Sequence, residues 1–327
     1  LGFSYFVIAF AMTGAPIPAA TAGNDVPKTI PLDIINLVLT GVLLILVVAA
    51  CSAWLSFLPE NSYGCLEEMF EPAVKWYNLI MALLSSSLMV WHYLDPDPML
   101  VRYTVLGRPE FPAVHREFAG LRRWSTFTAW SNLSCAIFFC CAAVLGFWGS
   151  SAPAGLCIAN QLLWELMFPL GFFVNIVVSF VLIPQIKKMR DWHKLKRILR
   201  PKPQLLHNGL ALAGAFEAML ARPPLLLEHF PVLVLFGCMY IVFAWYWFFQ
   251  SGIFHYMFLD NRFKYEPLAL IMLLLLLALV YSLGSCALNY ASTWPARIAI
   301  VLAALGTCTW TPGKMEDNDS KVALLAS

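Results

Sequence analysis

With 60% hydrophobic and 12% charged residues over 327 positions, the chain falls far from the roughly 25% charged composition of a soluble domain. A net charge of +2 gives no excess of basic groups for nucleic acid, and nine cysteines without CxxC spacing indicate neither a metal site nor a disulfide framework. These features predict an all-α, polytopic membrane helix bundle with about seven transmembrane helices.

Residues 1–31 open with an apolar stretch followed by Gly-Ala-Pro-Ile-Pro-Ala-Ala. It admits three readings: a targeting remnant, an incomplete start, or a short helix lying against the membrane. Spans long enough for a bilayer follow at 32–58 and 73–94. The second is ended by Asp95-Pro-Asp-Pro98, whose prolines cannot continue a helix. A polar, arginine-bearing loop is expected over 95–124, then spans at 125–149 and 162–186. The run 187–203 is basic, and a short fifth span, 205–221, ends at Pro223-Pro224. The sixth and seventh spans are 231–250 and 268–291; 296–310 is apolar but too short for confident spanning, and 311–327 reads as disordered. In domain terms the chain divides into 1–31, an added helix and loop at 32–72, a six-helix membrane domain at 73–292, and a C-terminal extension at 293–327.

Charge gives this arrangement a direction. Seven spans place sixteen of the 21 Lys and Arg residues on the side holding the N-terminal tail and the loops 95–124, 187–204 and 251–267, and four on the other. The first side is therefore the expected cytoplasmic, or topologically equivalent, face. Cys65 and Cys157 fall in loops of the opposite side, where an oxidising compartment would let them join.

Ionisable groups at membrane depth are functional candidates by default. The third and fifth spans enter from the same basic face, so Thr128 and His207, each two or three residues inside, lie at similar depth. Thr128, Ser131, Asn132 and Cys135 recur at i, i+3, i+4 and i+7 on one helical face. Such a stripe is either a helix–helix seam of small polar residues or one wall of a polar pocket facing His207. Glu217 stands roughly 15 Å along the helix from His207, too far to share a proton with it. His92 and His255 border the same face as lower-ranked pocket candidates, and the seventh span lacks the lysine a retinal Schiff base needs.

Phe127-Thr128-Ala-Trp-Ser131-Asn132-Leu, Ala136-Ile-Phe-Phe139, Phe168-Pro-Leu-Gly-Phe-Phe173, His207 with Glu217, Tyr240-Ile-Val-Phe-Ala-Trp245, Gly252, Phe258-Leu-Asp260, Leu283-Gly and Leu288-Asn-Tyr290 follow one another in a telling order. Over roughly 75–292 the chain resembles the androgen-induced protein / androgen-dependent TFPI-regulating protein family, multi-pass membrane hydrolases of fatty acid esters of hydroxy fatty acids. The resemblance implies a catalytic threonine and histidine, here Thr128 and His207; the expected chemistry uses no metal or cofactor. The chain departs from the family in the span 32–58, the loop 95–124 and the C-terminal extension, in Asn208-Gly209 after the histidine, and in Ser131 where an amide or carboxylate is usual.

A threonine hydroxyl needs an adjacent base, for which neutral imidazole is suited. An oxyanion donor is also required, with Ser131, Asn132 and Asn208 as candidates. Arg122, Arg123 and Lys202 are placed to hold either a substrate carboxylate or anionic headgroups. The expected partners are membrane lipids and a lipid ester substrate, with other membrane subunits if the chain is instead a non-catalytic member of a larger complex. A small transporter is disfavoured, because no paired intramembrane charges or half-repeat symmetry are visible.

Overall fold

A computed structural model describes residues 34–57, 67–103, 114–188, 192–291 and 293–308. The expectations for 1–31, Cys65 and 311–327 lie outside these residues. The described chain is an all-α, multi-pass membrane protein, in which six helices are long and apolar enough to cross a bilayer. In chain order they are α1 (Ile34–Ser56), α2 (Pro72–Leu94), α3 (Phe127–Trp148), α4 (Ala154–Ile176), α7 (Phe230–Ser251) and α8 (Glu266–Tyr290). Three shorter or more polar helices complete the set: α5 (Trp192–Ile198), α6 (Pro201–Leu220) and α9 (Trp294–Thr307). Beyond Ile176, α4 runs on through a π-helical stretch, Val177–Leu182, and a last turn and a half, Ile183–Lys188. Pro184, which has no N–H to give to the preceding turn, follows directly on that change of winding.

Two expectations change. The fifth span, 205–221, is a 20-residue helix but is not among the six apolar ones, since His207, Asn208 and Glu217 interrupt it. α6 packs against α4 and α9, so its environment is protein and it has no need of an all-round apolar surface. The loop 95–124 contains an antiparallel two-stranded ladder, β1 (Met99–Tyr103) with β2 (Val114–Phe118), registered from Met99↔Phe118 to Tyr103↔Val114. Its charged residues obscured the alternation that a strand requires.

The chain forms two compact units, each built from separated segments. The first comprises Leu1–Phe57, His92–Phe127 and Pro231–Leu275, the second Leu58–Trp91, Thr128–Phe230 and Leu276–Ser327. In the first unit, α1 exposes Ile35, Val38, Leu39, Val42, Ile45 and Leu46, a surface that suits hydrocarbon. It turns inward Asn36, Thr40 and Leu44, spaced i, i+4, i+8. Asn36 Nδ2 donates to the carbonyls of Asn261 (3.0 Å) and Phe263 (3.1 Å), and the Thr40 hydroxyl donates to Glu266. Arg262 pairs with Asp260 at 2.8 Å and reaches the Tyr103 hydroxyl at 3.4 Å, tying the turn before α8 to β1.

In the second unit, α4 and α6 meet at backbone distance. A Cβ on Gly171 would stand 2.9 Å from the Ala211 backbone, and one on Gly214 would meet Met167 Sδ at 3.3 Å. Small residues at such crossings allow the van der Waals packing that joins helices in a membrane. α9 is pinned beside them, the Ser179 hydroxyl donating to Thr307 O at 3.0 Å and Arg297 Nη1 donating to Met219 O at 3.4 Å.

Candidate functional site

The first turns of α3 and α6, both in the second unit, carry Thr128 and His207. One carboxamide joins them: Asn132 Nδ2 donates to Thr128 O and to Leu206 O, each at 2.8 Å. The carbonyl of Thr128 and the carbonyl preceding His207 therefore share a single nitrogen, and the two residues lie on neighbouring helices at one level. Thr128 is 9% exposed, Ser131 is fully enclosed and His207 is half-buried. The stripe Thr128, Ser131, Asn132, Cys135 is buried along its whole length.

Asn132 has two amide hydrogens, and both are used in these bonds. It acts as a clamp between α3 and α6, and in this geometry has none to offer a developing oxyanion. Asn208 Nδ2 donates to Gln204 Oε1 at 2.8 Å within its own helix.

The three basic residues separate in the same way. Arg123, only 2% exposed, belongs to the first unit, pairs with Asp95 at 2.9 Å, and donates to the carbonyls of His92 (3.3 Å) and Asp97. It brackets the Asp95-Pro-Asp-Pro98 turn, so its charge is committed to a structural partner instead of a substrate carboxylate. Arg122, in the same unit, is partly exposed, and its carbonyl accepts from the Ser125 hydroxyl at 2.6 Å. Lys202, in the second unit, lies over the Trp91 ring with its Nζ 4.8 Å from the centroid. That cation–π placement is typical of a membrane interface.

His255 also finds a hydroxyl. Its Nε2 lies 2.5 Å from Ser125 Oγ in the first unit, with Trp247 stacked on the ring at 5.8 Å. Burial pushes the imidazole down to about 3, so it is neutral at physiological pH. Ser125 has one proton and two neighbours for it. Donation to Arg122 O, with Nε2–H of His255 donating to Oγ, gives the Ser125 hydroxyl one acceptor and one donor. This arrangement, with Tyr240 OH donating to Ser125 O at 3.0 Å, is a structural network, although its hydroxyl–imidazole distance is that of a nucleophile and base.

Sequence reasoning overlooked a second buried cluster. Glu165 and His229, 1% and 0% exposed, are paired at 2.8 Å, and Gln161 Nε2 donates to Glu165 Oε1 and Pro224 O, both at 2.9 Å. With Tyr281 OH donating to Leu226 O (2.7 Å) and Ser285 Oγ to Leu225 O (2.6 Å), it staples the segment between α6 and α7. The local signal was Gln161 and Glu165 at i, i+4 inside an apolar helix. Glu217 is fully buried and accepts from Asn78 Nδ2 at 3.4 Å. Among the described residues, no group of three or more His, Cys, Asp or Glu is arranged to hold a metal.

Comparison of the chain with protein-family models, curated proteins and solved structures found no match.

Proposed function

We propose that the chain is a membrane-embedded hydrolase of lipid esters, with fatty acid esters of hydroxy fatty acids as the substrate class, Thr128 as nucleophile and His207 as base. The observation that carries this reading is the Asn132 clamp, which sets the Thr128 and His207 segments side by side. Thr128 Oγ1 attacks the ester carbonyl carbon while His207 accepts its proton. The tetrahedral intermediate collapses with release of the hydroxy fatty acid, whose oxygen takes the proton back from His207. Water, activated by the same imidazole, then hydrolyses the threonyl ester. The resemblance to the androgen-induced protein family supports the same assignment. A lipid ester reaches the site sideways from the bilayer, its free carboxylate drawn toward the basic face where Lys202 stands.

One set of observations favours a second reading, a non-catalytic membrane subunit that retains the fold. Asn132 and Arg123, two of the polar groups available to bind substrate, are consumed by structural bonds. Labelling with a fluorophosphonate probe separates the two. The hydrolase reading requires labelling of the purified chain that is lost in Thr128→Ala. Co-purification in a fixed stoichiometric complex, with no labelling in either form, supports the subunit.

A further inference from the structure

We propose that Glu217 is a proton-binding site: the folded chain holds its carboxyl group as the neutral acid at pH 7, paired with the Asn78 carboxamide, and this proton latches α2 to α6. The latch stands whether or not the chain is a hydrolase.

Both partners belong to the second unit, Asn78 on α2 and Glu217 in the last turn of α6, and both are fully buried. Asn78 Nδ2 donates to Glu217 Oε1 at 3.4 Å. The other ends of the same two planar groups, Glu217 Oε2 and Asn78 Oδ1, are buried and have no hydrogen-bond partner among the described residues. A carboxylate oxygen and a carboxamide oxygen are both acceptors, so neither can satisfy the other while the acid is ionised. One proton on Oε2 makes a donor of one and supplies the bond that the other lacks, closing acid and amide into a pair of hydrogen bonds. Turning the carboxamide over exchanges the roles of the two carboxyl oxygens and leaves the same deficit of one proton. The length of the existing bond agrees: an ionised acceptor draws an N–H donor to about 2.7–2.9 Å, and this one stands at 3.4 Å.

No cation offsets a negative charge at this place. Among the described residues the salt bridges are Arg123–Asp95, His229–Glu165 and Arg262–Asp260, and none reaches Glu217. On α2, the Tyr77 hydroxyl donates to Ala213 O at 2.8 Å, one turn before Glu217, so its proton is already given. Lys75, one turn before Asn78, lies with Nζ 5.1 Å from the Phe147 centroid. On α3, Phe139 meets the Tyr77 ring at 5.9 Å, with the buried Cys135 thiol one turn away. On α4, Glu165 is joined to His229 and Gln161; on α9, Arg297 donates to Met219 O and Ala291 O, and Arg222 beyond α6 is exposed. A water donating to both orphan oxygens would satisfy them but leave the charge buried without a counterion. A carboxyl group so placed keeps its proton instead.

The proton has a mechanical consequence. Tyr77 and Asn78 are adjacent on α2, while Ala213 and Glu217 are one turn apart on α6, so two side chains of one helix grip one face of the other. Losing the proton removes a bond and sets a charge against Asn78 Oδ1, which loosens the helix whose first turns carry His207. An unfolded glutamate releases its proton above about pH 4.3. The folded state therefore binds more protons than the unfolded one up to pH 7, and the contribution to stability falls as pH rises through that interval.

The test uses the full chain in a neutral detergent, with Glu217→Gln as the main variant, since a glutamine amide offers the same donor and acceptor as the neutral acid. The infrared difference spectrum at pH 7, wild type minus Glu217→Gln, should contain a carboxylic acid carbonyl stretch and no carboxylate band. Asn78→Leu should keep that stretch but move it to higher frequency, as the acid loses its acceptor. From about pH 5 to pH 7 the folded-to-unfolded ratio of wild type should fall relative to Glu217→Gln by close to tenfold per unit. A carboxylate band in the difference spectrum overturns the proposal, and so do pH curves that run parallel for the two proteins. Failure of Glu217→Gln to fold overturns it as well, because a neutral amide would then not replace the group. An acid stretch unmoved in Asn78→Leu would show that Asn78 is not the partner.

Discussion

Replacing Asn132 tests the clamp between α3 and α6. Asn132→Leu keeps the approximate volume and deletes both N–H donors, removing the 2.8 Å bonds to Thr128 O and Leu206 O. An interhelical side-chain hydrogen bond in a membrane contributes about 0.6 kcal/mol on average and up to about 1.7. With the intrahelical bond added, the expected loss is about 1–2 kcal/mol. Asn132→Asp is the sharper variant, because it preserves shape and places an oxygen where the amide nitrogen faced two carbonyl oxygens. Even when protonated, the carboxyl group has one hydrogen for two acceptors, and the loss rises to about 2–3 kcal/mol. Thermal unfolding in detergent should order the proteins as wild type, Leu, Asp. Ester hydrolysis should fall in both variants by tenfold or more, since a misplacement of about 1 Å at a reacting centre costs about 10²-fold. Equal midpoints for all three proteins, or an Asp variant more stable than the Leu variant, would refute the clamp.

Gly171→Ala inserts a methyl 2.9 Å from the Ala211 backbone, so α4 and α6 must separate, with a loss of about 1–3 kcal/mol in thermal unfolding. Asp95→Asn leaves Arg123 buried with carbonyl partners only; because Asp95 is 20% exposed, the expected loss is about 2 kcal/mol, below the roughly 3–5 of a fully buried pair. His255, pushed down to about 3 from an unfolded value of about 6.5, makes the folded state bind fewer protons than the unfolded one. Its contribution is full above about pH 6.5 and is lost toward pH 3 by up to about 1.4 kcal/mol per unit, a slope that His255→Phe should flatten in a pH series of thermal midpoints. Cys157 is disulfide-bonded, whereas Cys51, Cys135, Cys140, Cys141, Cys238, Cys286 and Cys308 are free thiols. Reductant should therefore shift the electrophoretic mobility of wild type, and Cys157→Ser should migrate alike with and without it.

Apolar run length located the six membrane-crossing helices, because a bilayer imposes one length on any segment that spans it. The same measure overstated α6: its length is adequate, yet its neighbours are protein, so polar residues were tolerated at His207, Asn208 and Glu217. The 3.6-residue period drew out the stripe from Thr128 to Cys135, and helix rise put Thr128 and His207 at one level. Neither could decide between seam and pocket wall. That depended on which carbonyls the Asn132 amide meets, one of which is 74 positions away. Contacts of this range were invisible for the same reason at Glu165–His229, Ser125–His255 and Thr40–Glu266. The pairing of Arg123 was not legible, because a juxtamembrane arginine looks the same in sequence whether it meets headgroups or folds back onto Asp95.

The most direct measurement is turnover of a fatty acid ester of a hydroxy fatty acid by purified wild type, Thr128→Ala and His207→Ala. Each variant must retain the wild-type helical content and thermal transition. The account predicts measurable hydrolysis by wild type and a loss of about 10²-fold or more in each variant, the scale of a missing nucleophile or base. Wild-type rates in both folded variants would contradict it.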